Sequence, residues 1–229
     1  STDRSGEICR QFLVERIEYF EQENQGVSVA RNLALDHSSG EFICFLDADD
    51  QLTSTSLETR LKLFDDPTVM FVDGVIEIRD GDFIRVKERR IQTYSGIPLA
   101  GLLNIDNSVF FGPSWMIRKK TGVTYRFKEG LTHGEDLLFY ISIGHLGKYQ
   151  AVKEVVYIYR QGNVSAMSDL DGLWSGYKTI LKELSTLPTV NRNEGQIFKK
   201  KITSIMFKSY LGFAQPSKAL GVLRDYFRI

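Results

Sequence analysis

The sequence predicts an α/β fold, a mostly parallel sheet flanked by helices and followed by a helical tail. Three observations carry this. Apolar runs with strand texture alternate with helix-period segments through the first two thirds of the chain. The run EFICFL at 41–46 is almost continuously apolar, as in a strand covered on both faces. After Ser168 only helical patterning remains, so a boundary falls there, between an α/β body at 1–168 and a helical region at 169–229.

In chain order, Ile8, Phe12 and Leu13 recur at helical spacing over 5–13, and Cys9 sits in that amphipathic pattern. Residues 16–21 (RIEYFE) alternate Ile17 and Tyr19 with charges and predict a strand. Asn24-Gln25-Gly26 is a turn. Val29, Ala30, Leu33 and Ala34 make one face of a helix over 27–37, ended by Gly40. Cys44 lies in the strand at 41–46 as a small buried thiol. A helix is expected over 54–64 and a strand over 69–78. The Asp80-Gly81 turn then leads into a strand over 83–86. Further strands are expected at 110–117 and 149–159, and a helix at 136–146. Helices at 170–184, 196–211 and 217–227, broken by Pro188 and Pro216, form the tail. The chain opens on a helix, whereas a parallel α/β fold ordinarily opens on a buried strand.

Composition narrows the function. Of the 229 residues 42% are hydrophobic and 25% charged, which supports a substantial core. The 29 basic and 29 acidic side chains balance, which argues against nucleic acid as the main partner. No apolar run approaches the ~18 residues of a membrane span and no signal peptide is visible. Two unpaired cysteines fit a cytosolic protein without disulfides.

Asp47, Asp49 and Asp50 follow the apolar strand directly, in the sequence LDADD. Ligands of open α/β sheets bind beyond the carboxyl ends of strands. Clustered carboxylates repel one another there unless a cation joins them, and hard Mg or Mn suits such oxygen donors with substrate phosphates. A helix-capping turn is the simpler alternative and is enough for Asp50. A second acidic pair, Glu135-Asp136 in HGED, opens the helix at 136–146, where capping alone would also place acids.

The stretch 24–50, NQGVSVARNLALDHSSGEFICFLDADD, closely resembles family 2 glycosyltransferases of the GT-A fold. Their pattern is N-x-G-x-S-x-A-R-N, a small-residue turn with Gly, then a strand ending in D-x-D-D, and every anchor is present. The resemblance implies an inverting, metal-dependent transfer of sugar from a nucleotide-diphospho-sugar, most often a UDP-sugar, to a saccharide or lipid-linked acceptor in cell-surface polysaccharide or glycolipid synthesis. It implies Asp49 as principal metal ligand, Asp47 facing ribose or the Mn or Mg ion, and Arg31 near the nucleotide, an internal salt bridge being the alternative. Asn32 is expected to satisfy backbone groups. Asp136 resembles the general base, with Glu135 positioning it. Arg160, in the Y-R segment before Ser165, suits the leaving phosphate. Trp115, in GPSW, and His133 lie on the acceptor side, with a core role open for Trp115. Ser1-Thr2-Asp3 resembles the end of the family's D-D-G-S-T-D segment, so a preceding strand-helix-strand unit is expected.

Two other readings compete. A haloacid dehalogenase-type phosphatase also sets D-x-D after a buried strand, but Gln51 stands where Thr or Val is wanted. A non-catalytic carbohydrate-binding or assembly module is the other. In the tail, Lys199-Lys200-Lys201 beside Ile202, Ile205, Met206 and Phe207 is expected to pack an apolar stripe with lysines in water, contact with an inner membrane surface being the alternative.

Overall fold

A computed structural model describes residues 3–13, 17–162 and 168–227. Helices α1 (Ser5–Gln11) and α2 (Val27–His37) precede strand β1 (Phe42–Cys44) and the short β2 (Gln51–Leu52). Helix α3 (Ser56–Leu61) runs on as a 3-10 turn, Lys62–Asp65, into β3 (Val69–Arg79) and β4 (Val86–Arg90). Then come α4 (Leu99–Leu103), β5 (Met116–Arg118), α5 (Glu135–Ile143) and β6 (Lys148–Arg160). Helices α6 (Leu170–Leu184), α7 (Arg192–Gly212) and α8 (Pro216–Tyr226) follow.

The sheet order is β1-β5-β3-β6-β2, with β4 beside β3. Among the described residues only β3 and β6 pair in parallel; the other four strand pairings are antiparallel. The expected mostly parallel sheet is therefore a mixed one. β5 enters between β1 and β3 against their direction, β4 returns from β3 as a hairpin, and β2 folds back on β6. β1 is covered less completely than its composition suggests: only Ile43 is buried and its neighbours are half-exposed.

Local differences have local causes. Residues 17–20 form no strand: alternation without a partner strand makes no ladder, and Phe20 stacks on His37 with 4.1 Å between ring centroids. Arg16, Ser1, Thr2 and Ser165 lie outside the described residues. The helix expected at 5–13 is present, but α1 buries no side chain and Cys9 is exposed. The strand expected at 83–86 begins only at Val86, because Phe83 takes a φ of 61° in the turn that Asp80 holds through the amides of Ile84 and Arg85. The strand expected at 110–117 shrinks to Met116–Arg118, since Gly112-Pro113 cannot sustain a ladder. The pairs of β2 and the short α4 carried no readable signal.

One apolar cluster runs through the molecule. It joins β1, β3, β5 and the apolar residues 137–141 of α5 to Leu173, Trp174, Tyr177 and Ile180 of α6, to Phe198, Ile202 and Met206 of α7, and to Ala219 and Val222 of α8. α7 thus spends its apolar stripe inward as expected, but of the three lysines only Lys200 is exposed, Lys199 and Lys201 being half-buried. Among the described residues no helix is long and apolar enough to cross a membrane.

Candidate active site

The site forms where the end of β1 meets the start of α5. Arg31, on α2, reaches across both. Its Nη2 donates to Asp47 Oδ1 at 2.6 Å and its Nη1 to Glu135 Oε1 at 3.2 Å. The guanidinium lies 5.1 Å from the Phe127 ring centroid and 5.9 Å from that of Phe45. Phe127 stacks on Phe139 at 4.2 Å, so the cation rests on an aromatic floor built from three elements. Burial alone would lower the Arg31 pKa, but Asp47, Glu135 and Asp136 together outweigh it and the net shift is upward. Arg31 is 10% exposed and Glu135 15%, whereas Asp47 keeps 38% of its side chain in solvent.

Asp136 stands beside this clamp. Its carboxyl is pushed up to about 7, first by burial and then by the Glu135 charge, with the Leu137 amide and Arg31 pulling the other way. The residue retains some surface, yet protein atoms pack closely round the carboxylate. Oδ1 accepts from the Leu137 amide at 2.7 Å. Oδ2 faces Gly112, where an added Cβ would sit 3.8 Å away. Gly134 makes this approach possible: it caps α5 at φ 78°, and a Cβ there would lie 2.9 Å from Ile180 Cδ1.

The remaining expected residues separate into groups. Asp49 is exposed and makes no hydrogen bond or ion pair among the described residues. Asp50 is buried and structural, accepting from the Tyr157 hydroxyl at 2.7 Å and the Arg160 amide at 2.9 Å. That bond ties the end of β6 to the acidic turn, while the Arg160 guanidinium lies over the Phe83 ring. His133 pairs its Nδ1 with the Thr132 hydroxyl, and its Nε2 lies 3.7 Å from Asp169. Trp115 does not stack on a ligand: it is fully buried, donates Nε1–H to the Val109 carbonyl at 3.0 Å and stacks on Tyr140. The indole N–H found its partner inside the core, which removes the acceptor role expected for it. Asn32 pairs with the backbone of Phe127 through both ends of its amide, as expected.

Among the described residues no three His, Cys, Asp or Glu side chains gather as a metal cage. A two-carboxylate site still fits a hard divalent ion, which commonly takes one or two carboxylates and completes its shell with substrate phosphates. Asp47 and Asp49, on one solvent-reached turn, are the two carboxylates that would supply that donor set.

A buried network behind the site was not foreseen. Arg60 is fully buried and donates to the Ser114 carbonyl at 2.9 Å, the Ser56 hydroxyl at 2.8 Å and Cys44 Sγ at 3.4 Å. Ser114 donates its hydroxyl to Asp73 at 2.7 Å. Cys44 is thus half-buried and hydrogen-bonded, where a plain apolar thiol was expected. Asp73 is pushed up to about 6 by burial, against the hydrogen bonds of Ser114 and the Gly74 amide and the charge of Arg60. The readable signal for this network was the charged Asp73 directly after the apolar run Val69, Met70, Phe71 and Val72.

Residues 1–121 match the family described as glycosyl transferase family 2. The chain belongs to that family. Its sheet and helices also overlay Staphylococcus aureus TarS 1–349 in complex with UDP-GlcNAc, with a TM-score of 0.63 and 18% identity over 89% of this chain and 60% of that one. That likeness fixes the fold as GT-A. Glycosyltransferase GlyG of Streptococcus pneumoniae serotype 4 is 24% identical over 99% of this chain and 75% of its own length. The minor teichoic acid biosynthesis protein GgaB of Bacillus subtilis is 28% identical over 86% of this chain. The family 2 chain spans only 23% of GgaB. Family membership displaces the phosphatase reading. The matched 1–121 contain Arg31, Asp47 and Asp49, while Glu135 and Asp136 lie beyond them.

Proposed function

We propose that this chain carries the catalytic site of an inverting, metal-dependent glycosyltransferase that moves a sugar from a nucleotide-diphospho-sugar to an acceptor hydroxyl during cell-surface polysaccharide synthesis. The observation that carries it is the Arg31 clamp, which brings the strand-end acids and the helix-start acids, 88 positions apart at Asp47 and Glu135, to one guanidinium. A donor side and an acceptor side are both needed for an in-line displacement at an anomeric carbon.

On the donor side, Asp47 and Asp49 would hold Mn or Mg, which when bound stabilises the departing diphosphate as a Lewis acid. Arg31 neutralises Asp47 and orients it. Arg160 lies at the β6 end, fastened to Asp50 through its backbone amide, and its charge suits the leaving phosphate. On the acceptor side, Asp136 Oδ2 takes the proton of the attacking hydroxyl. A base with a pKa near 7 is well matched to that task, and such proton transfer contributes ~10² to 10⁴ in rate. Glu135 keeps the Asp136 pKa high by its charge while Arg31 holds Glu135 in place. The UDP-GlcNAc bound to TarS and the teichoic acid role in the name of GgaB favour a UDP-sugar donor and a cell-wall polymer acceptor.

The test is turnover. Incubation with a panel of UDP-sugars and Mn should release UDP, and chelation should abolish that release. UDP should bind in calorimetry only with Mn or Mg present. Metal-independent binding together with undiminished turnover in Asp49→Asn would sink the metal assignment.

A further inference from the structure

The helical hairpin of α7 and α8 concentrates positive charge. Residues 192–227 hold seven Lys and Arg against two Asp and Glu, in a chain whose charges balance as a whole. Both acids are committed inside the protein. Glu194 closes the capping box of α7, and Asp225 accepts from the Trp174 indole N–H at 3.2 Å and lies 3.7 Å from the Lys178 ammonium. Lys218 is paired with Asp171. Lys200, Lys208 and Arg224, by contrast, are exposed and have no acidic partner among the described residues.

α8 also has a second apolar face. At 3.6 residues per turn, Leu220, Leu223 and Phe227 fall within about 60° of one another, roughly a quarter turn from the core-facing Ala219 and Val222. They are 65%, 39% and 86% exposed. The outward face of α7, opposite Phe198, Ile202 and Met206, sets Lys200 and Lys208 in line with the exposed Leu211. The Lys199 ammonium lies 4.6 Å from the Tyr226 ring centroid, so the start of α7 meets the end of α8 and the two run antiparallel. Both helices press one side into the same core, which leaves their outer faces as neighbouring parts of one surface. A contiguous apolar stripe at helical spacing marks a contact surface. Its charges decide the kind of contact. Lysine is depleted from the centres of protein–protein interfaces, and a two-fold pairing of this surface with itself would set its cations against their own copies. An anionic bilayer accommodates both features: apolar side chains enter the boundary between headgroups and acyl chains, and the cations stay at the lipid phosphates.

We propose that the outer face of the α7–α8 hairpin docks on an anionic lipid bilayer, with Leu220, Leu223 and Phe227 at the acyl boundary and Lys200, Lys208 and Arg224 on the headgroup phosphates. The acidic site takes no part in this contact, so the proposal goes beyond the transferase reading and does not depend on it. Flotation with vesicles of phosphatidylglycerol and, separately, of phosphatidylcholine tests it. The protein should float with the first and not with the second, and about 0.5 M salt should release it by screening the headgroup charge. Leu220→Ser combined with Phe227→Ser, and independently Lys200→Gln combined with Lys208→Gln, should each weaken binding about tenfold or more. All four side chains are exposed, so the thermal midpoint and metal-supported UDP binding should match those of the parent. Should the serine pair lower the midpoint, the glutamine pair alone decides. No flotation with phosphatidylglycerol, equal flotation with phosphatidylcholine, or undiminished flotation of the variants overturns the proposal. So does a dimer in sedimentation velocity that dissociates on Leu220→Ser with Phe227→Ser, since the surface would then join two copies of the chain. Absence of UDP-sugar turnover bears on the proposed function alone, because none of these readouts uses transfer.

Discussion

Asp136 is held at a pKa it would not choose. Its carboxyl stands about 7 against the ordinary 3.8, because burial and Glu135 both disfavour the charge. A folded pKa above the unfolded one means that the native state binds more protons in the interval between them. Stability from this group is therefore complete below about 4 and is lost as pH rises through about 7. Asp73, raised to about 6, adds to the same trend. Asp136→Asn removes the penalty, so its thermal midpoint should equal or exceed that of the parent at pH 8, while turnover falls ~10²-fold or more and UDP binding stays intact. Turnover of the parent should climb with pH on the acid side as Asp136 deprotonates. A pH–rate profile and a melting series on both proteins check this pair of outcomes. Unchanged turnover in Asp136→Asn would take the residue out of the mechanism.

Three elements converge on Arg31, and their placement depends on it. The helix α2 brings the guanidinium, the end of β1 brings Asp47, and the start of α5 brings Glu135. Removing a buried partner of an ion pair costs ~3–5 kcal/mol, and an exposed one under ~1. Asp47 keeps 38% of its side chain in solvent, so Arg31→Met should cost about 2–3 kcal/mol in urea unfolding. The same change should raise the Asp136 pKa further, since Arg31 is one of the groups that lower it. The acid limb of the pH–rate profile should move to higher pH accordingly. Ser114→Ala acts on another junction. It removes the hydroxyl joining Asp73 to the turn before β5 that Arg60 holds, and should cost ~1–3 kcal/mol with little change in UDP affinity.

Across the whole molecule, the C-terminal helix α6 braces the loop that precedes Asp136. A Cβ on Gly176 of α6 would lie 2.3 Å from the His133 carbonyl oxygen, three residues before Asp136. Alanine is intrinsically the better helix former by ~1 kcal/mol, so Gly176→Ala should stabilise α6 if nothing else intervened. The contact predicts the reverse: a lower thermal midpoint and reduced turnover, because the helix and the 132–135 loop must part. Leu170, Trp174, Tyr177 and Ile180 share one core with α5. A chain cut after residue 168 should therefore lose cooperative unfolding, which circular dichroism during heating would reveal.

The sequence by itself determined the family, the acidic turn after β1 and the acidic start of α5, because these are local signals. A strand end, a turn and a helix cap each need only a few consecutive residues of particular chemistry. It also determined the bounds of α2 and α6, which fall at the expected 27–37 and 170–184, although the side chains α2 buries are Ser28 and Asn32. Tertiary structure alone decided the rest. Sheet direction depends on which strand lies beside which, and the insertion of β5 between β1 and β3 turned an expected parallel sheet into a mixed one. The burial of Trp115 depended on Val109 and Tyr140, one of them 25 positions away. Whether Arg31 faced a nucleotide or an aspartate depended on groups distant in the chain. Side-chain hydrogen bonds and buried charges answer to neighbours in space, and a single sequence records neighbours only along the chain.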